Sequence, residues 1–264
     1  MSSSLASVLV TGAGGHAGSS VCHQLRTLCP DVTIVATDTR PATADVDTFV
    51  VGHSAASPEY LPFLRSLIAQ HSVDLLIPTG QEELRVLAAH RAELGVPVIM
   101  PDHTAVELCG NELLTRRFLA VAGVTVPENG DGVAASREKS PTPGAAMISR
   151  DRVPGAEYRP QAYRSPLHDG EIITVVLEKT GAASLRRIPT SRATDIEELV
   201  HNTIRALGLY GPINLHVCRD RSGRPAVLQV NAGFGTESVH APELLDTLLA
   251  DAEHLSLATS GQRV

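Results

Sequence analysis

Residues 8–18 read Val-Leu-Val-Thr-Gly-Ala-Gly-Gly-His-Ala-Gly, which places Gly12, Gly14, Gly15 and Gly18 where a first apolar run hands over to an amphipathic one. Glycines at such a junction allow a tight turn and close strand–helix packing, and a helix start turns backbone N–H groups towards an anion. A nucleotide or another anion is therefore the ligand chemistry this segment can serve. His16 is the side chain in the loop able to meet a phosphate.

Asp38 ends the second apolar run, where a dinucleotide-binding domain would hold a ribose. A Rossmann-type NAD(P) oxidoreductase is thus one reading of Gly12, Gly15, Gly18 and Asp38. Its chemistry is missing, however, because none of Tyr60, Tyr158, Tyr163 and Tyr210 is followed four residues later by Lys. The turn and its packing account for the glycines first, an unspecified anion second and a dinucleotide third.

The elements that position these residues follow from hydrophobic period. Over the first hundred residues, short β-branched runs at 6–11, 32–37, 73–78 and 96–100 alternate with amphipathic stretches at 17–28, 58–70 and 82–94. That is the pattern of βαβ units on a parallel sheet. Helical patterns follow at 105–109 and 112–122, and then a short strand ends at Pro127. Residues 129–144 hold Gly, Pro, Ser and charge without periodicity, as in a linker. Strand-like runs come next at 145–149, 157–163, 172–178 and 184–188, then a helix over 195–207. Two further strands flank Asp220-Arg-Ser-Gly223, a hairpin signal, and a last helix covers 241–255. The expected class is α/β: a doubly wound domain over 1–102, a helical connection over 103–128, a flexible linker over 129–144 and an α+β sheet domain over 145–264.

The chain has 264 residues and a net charge of −7 without long runs of one sign, which disfavours nucleic acid and anionic membranes as partners. Cys22, Cys29, Cys109 and Cys218 are scattered and read as reduced thiols. No apolar run approaches the roughly 20 residues of a bilayer span, and a cytoplasmic location is expected.

Three segments come in the order found in the ATP-grasp ligases: residues 8–15, residues 76–84 (Leu-Ile-Pro-Thr-Gly-Gln-Glu-Glu-Leu) and residues 119–127 (Leu-Ala-Val-Ala-Gly-Val-Thr-Val-Pro). Val153-Pro-Gly-Ala-Glu-Tyr158 is similar to a strand start of that family. Residues 211–217 and 228–233 resemble its paired metal-bearing strands. The resemblance covers nearly the whole chain and is nearest to single-chain relatives of the carbamoyl phosphate synthetase large chain. It implies ATP between two subdomains, lysines from a lid, Mg²⁺ on acidic ligands of the last sheet, and activation of a carboxylate for attack by an amine.

Measured against that pattern, the machinery is depleted. The stretch from Pro127 to Gly155 is too short for the lid and carries only Lys139, and Asn111-Glu112 replaces an Asp-Lys pair. The resemblance puts Gln229 in place of a metal-binding Glu, Asn231 at an Asn, Gly233 in place of an Arg, and His216 in place of a Glu or Gln. The neutral trio His216, Gln229 and Asn231 is a poor seat for Mg²⁺, which wants a carboxylate. No metal is assigned to it, and a hydrogen-bonded polar cluster is the expectation. Glu157, Arg186 and Arg187 are further cleft candidates, weighed against solvated strand residues.

The resulting expectation is a shortened, degenerate ATP-grasp protein. It would bind a small carboxylate or amino-acid-like ligand, or support a catalytic partner, with ATP-dependent ligation weak or lost. Self-association is left open. The alternative is an active carboxylate–amine ligase using ATP and Mg²⁺, with its lid supplied by residues 129–144 or by a second subunit.

Overall fold

The structure, a computed structural model, describes residues 5–127, 156–168, 170–181, 184–220 and 222–260. The linker expected at 129–144, the strand expected at 145–149 and Lys139 lie outside the described residues.

The first half is a four-stranded parallel sheet in the order β3-β2-β1-β4, formed by β1 (Ser7–Thr11), β2 (Thr33–Asp38), β3 (Thr48–Val51) and β4 (Leu75–Pro78). All five residues of β1 are buried, as suits a strand covered on both faces. Val8 and Val10 face one core, shared with α1 (His16–Leu28) and α7 (Pro242–Ser260). Leu9 faces the other, shared with α2 (Tyr60–Gln70) and α3 (Gln81–His90). This two-sided cover is what the alternating sequence pattern predicts.

Residues 96–100 depart from expectation. They lie beside β4 without forming a ladder strand, touching it through Leu76 N–H and the Pro97 carbonyl at 3.1 Å. Pro97 has no N–H to return. Residues 124–127 likewise form no strand, although the Thr125 carbonyl accepts from Val227 N–H. Between these stretches lie α4 (His103–Cys109) and α5 (Glu112–Val121). Asn111 caps α5 by accepting from Leu114 N–H at 3.1 Å, which gives this residue a structural task.

The second half is a mainly antiparallel sheet centred on β10 (Gly211–Arg219), which pairs along its length with β11 (Pro225–Ala232). Its other edge is met by β5 (Glu157–Tyr158) and β6 (Gln161–Arg164), in effect one strand interrupted at Pro160. Outside these run β7 (Ile172–Val175), β8 (Leu177–Lys179) and β9 (Leu185–Arg187). The expected hairpin joins β10 to β11: Asp220 accepts from Ser222 and Arg224 N–H groups, and Gly223 takes φ +82°.

One face of this sheet is covered by α6 (Thr194–Leu207), which ends at left-handed Gly208. The other receives α7, whose leucines also pack on α1, so a single core joins the two halves. The four cysteines are free thiols, and burial pushes Cys22 up to about 11 and Cys109 to about 12. Among the described residues no helix is long and apolar enough to cross a membrane.

Candidate functional site

A cavity of about 640 Å³ opens at the carboxyl ends of β1, β2 and β4 and is closed on its far side by β10, β11 and residues 234–236. It therefore sits where the connection from β1 changes direction in the strand order, the place at which open α/β sheets bind ligands.

Gly12, Gly15 and Gly18 line it together with His16. Gly12 has φ +66°, and the start of α1 at Gly15 has no side-chain cap for its first N–H groups. Gly18 is forced by packing, since a Cβ there would lie 2.4 Å from the Gly12 carbonyl oxygen. Gly14 does not line the cavity; its N–H donates to Asp38 Oδ2 at 2.9 Å. Asp38 also accepts from Thr39 N–H, so this carboxylate holds the loop.

The floor is a buried network that the sequence reading did not single out. Glu83, in the first turn of α3, accepts from Thr11 Oγ1 (2.8 Å), Thr79 N–H (3.1 Å), Gly80 N–H (2.7 Å) and Tyr60 OH (2.5 Å). Burial pushes the Glu83 carboxyl above its ordinary range despite these donors. Burial, reinforced by Glu83, pushes the Tyr60 phenol up as well. Acid three residues after a helix-starting Gly was the available signal, because a carboxylate at that spacing reaches back to the helix-start N–H groups.

On the opposite wall Gln229, Asn231 and Asn214 form a chain of amides. Gln229 Nε2 donates to Asn231 Oδ1 at 3.1 Å, Asn231 Nδ2 to Asn214 Oδ1 at 2.9 Å, and Asn214 Nδ2 to the Gly233 carbonyl at 3.1 Å. Asn214 was missed, although it sits two residues before His216 on a strand and opposite Asn231. His216 pairs with Gln229 across the ladder, next to a bulge, but does not line the cavity. The polar cluster on this wall is thus Gln229, Asn231 and Asn214, without His216. Tested against Mg²⁺, the set fits poorly: it contains no carboxylate, and each amide hydrogen-bonds another or the backbone. Among the described residues no three His, Cys, Asp or Glu side chains are grouped to hold a metal ion.

The other cleft candidates lie outside the cavity. Glu157 binds Lys179 Nζ at 2.9 Å and Arg159 at 3.4 Å; burial raises its carboxyl, but these two cations hold it below its usual range. Arg186 pairs with Glu178, and Arg187 with Glu243; both arginines are exposed on the edge strand β9. A second cavity of about 680 Å³ lies at the other end of β4, but its charged residues are committed to the backbone: Asp74 to Ala6 and Ser7 N–H, and Arg91 to the Met100 carbonyl.

With this geometry in place, the likeness to solved structures is informative. An L-amino acid ligase from Bacillus licheniformis matches with a TM-score of 0.65 at 15% identity, over 89% of this chain and 69% of that one. N5-carboxyaminoimidazole synthetase from Staphylococcus aureus matches with a TM-score of 0.66 at 13% identity, over 96% and 78%. Biotin carboxylase from Campylobacter jejuni, solved as a complex with ATP, matches with a TM-score of 0.63 at 13% identity, over 94% and 71%. No protein-family model and no curated protein matches the chain. The chain has the ATP-grasp fold of these ligases and carboxylases, as the order of its motifs implied. The dinucleotide oxidoreductase reading gains no support, and Asp38 is engaged with its own loop.

Proposed function

We propose that this chain is a degenerate ATP-grasp protein that binds a small carboxylate or amino-acid-like ligand in the 640 Å³ cavity, alone or in support of a catalytic partner, with ATP-dependent ligation weak or lost. The observation that carries this reading is the amide chain Gln229–Asn231–Asn214. It occupies the strand pair where the family's resemblance calls for acidic metal ligands, and its hydrogen bonds close on one another.

The ligand's anionic end would lie against the uncapped start of α1 and the Gly12–Gly15 turn, where N–H groups and the helix dipole favour negative charge. The amide donors and acceptors opposite suit neutral polar groups of the same ligand. A panel of amino acids and small carboxylates, screened by calorimetry and thermal shift, tests this. At least one should bind saturably and lose affinity in Gly15→Ala, whose new Cβ would stand at the loop. Absence of any binding across the panel, or binding that Gly15→Ala leaves unchanged, would contradict it.

A further inference from the structure

The second cavity, of about 680 Å³, lies at the amino end of β4, away from the candidate site. Its volume falls within the roughly 300 to 1,000 Å³ usual for small-molecule sites. Both halves of the molecule supply its walls. Residues 95–100 form one side, and Pro166, Tyr210 and, from α7, Leu255 and Ser256 form the other.

These walls are braced. Arg91 donates to the Met100 carbonyl at 3.0 Å, and Leu76 N–H donates to the Pro97 carbonyl at 3.1 Å. Gly211, at φ +73°, lets β10 start against the same stretch, since a Cβ there would lie 2.9 Å from the Ile99 carbonyl oxygen. The Arg164 guanidinium stacks on the Tyr210 ring, 4.5 Å from its centroid, and so fixes the aromatic side chain of the lining.

Two features decide what such a space can take. Its charged side chains, Asp74 and Arg91, are of opposite sign and each is held by backbone, so the lining has no charge to spare for an ion. Burying an unpaired charge there would be costly. Val98, in contrast, is only 5% exposed and forms no hydrogen bond with any described residue. Buried backbone N–H and C=O groups are normally paired, so this donor and acceptor call for a partner in the space they line. Most of the remaining lining is apolar. Within it Tyr210 offers a ring and Met100 a polarisable thioether, both of which favour an aromatic body over an aliphatic one.

We propose that this cavity is a second binding site, for a neutral aromatic small molecule that carries an amide-like donor and acceptor on one edge. The ring lies against Tyr210 and Met100, and the amide edge pairs with Val98 N–H and C=O. Binding here makes no use of the 640 Å³ cavity or of its ligand.

Benzamide is the molecule to titrate, beside benzoate, which keeps the ring but adds a charge, and hexanamide, which keeps the amide but lacks the ring. NMR spectra of the full chain should show saturable shifts with benzamide at Val96, Val98, Ile99 and Met100. Benzoate and hexanamide should each bind at least roughly threefold more weakly. Tyr210→Ala, at a position 37% exposed, should weaken benzamide binding by roughly three- to tenfold. Should that variant fail to fold, Val96→Trp, which fills the cavity from its other wall, replaces it, with loss of the shifts expected. Shifts that are absent or confined to other residues, equal affinity for benzoate or hexanamide, or an affinity unchanged in the variant would overturn the proposal. A chain ending at Ser260 that binds benzamide when the full chain does not would assign the cavity to residues 261–264 and overturn it as well.

Discussion

Tyr60 OH and the Glu83 carboxylate meet at 2.5 Å on the cavity floor, and both side chains are buried. Through Thr79 and Gly80 N–H, the same carboxylate fixes the turn from β4 into α3. The site's shape therefore depends on an ionisable group that water barely reaches.

That gives a pH prediction. Burial raises the folded-state pKa of Glu83, so protonation favours the native state. The stabilising effect is complete below the ordinary carboxylate value of about 4.3 and is lost as pH rises through the folded value. Stability measured by urea unfolding should therefore decline over that window in wild type, and less so in Glu83→Gln. Glu83→Ala, which strands the Thr79 and Gly80 donors, should cost about 2 to 4 kcal/mol. Parallel pH curves for wild type and Glu83→Gln would contradict this.

Two glycines at the start of α1 should separate structure from binding. Gly18→Ala places a Cβ 2.4 Å from the Gly12 carbonyl oxygen and 2.6 Å from Ala13 Cα, so the backbone must move. A loss of roughly 1 to 3 kcal/mol, or failure to fold, is expected. Gly15→Ala meets only the Gly12 oxygen, at 3.3 Å, a tight contact that a shift of a few tenths of an ångström relieves, and should lower the melting temperature less than Gly18→Ala. Circular dichroism melts of both variants check this.

Asp38 gives a prediction of opposite sign to a ribose-binding role. Asp38→Asn can keep the acceptor for Gly14 N–H while removing a negative charge from beside the loop. Affinity for inorganic phosphate should rise by roughly two- to tenfold at low ionic strength, and the gain should shrink with added salt. Calorimetry at two salt concentrations decides it, and a weaker-binding Asp38→Asn would show that the carboxylate serves the ligand directly.

The parallel sheet was readable because β1, β2 and β4 are continuous apolar runs and α1 has a clear helical period. The β10–β11 pair was readable from the Asp220 turn. Residues 96–100 misled, because an apolar run that contains Pro97 and stops at Pro101 has a strand's composition without its hydrogen-bonding capacity. At the site, Gln229 and Asn231 were visible through the resemblance of residues 228–233 to a metal-bearing strand, whereas Asn214 depends on ladder register, which sequence does not display. Arg186 and Arg187 looked like cleft cations, but β9 carries them to the sheet's outer edge, where acids neutralise them. Glu83 was hidden in a polar Gln-Glu-Glu start whose neighbour Glu82 is exposed.

The central claim is that the amide chain Gln229–Asn231–Asn214 has taken the place of a metal-holding carboxylate set, and Mg²⁺·ATP titration of the wild-type chain by calorimetry, with phosphate release followed over an amino-acid panel, tests it most directly. Each missing charge-assisted contact is worth about 1.5 to 3 kcal/mol, so binding should be weaker than that of an intact ATP-grasp enzyme by orders of magnitude, with negligible phosphate release. Gln229→Glu should improve metal binding only modestly. Gly233, at φ +125°, cannot accept the Arg of the family pattern without strain. Tight Mg²⁺·ATP binding by the isolated wild-type chain, or amino-acid-dependent phosphate release, would contradict the account.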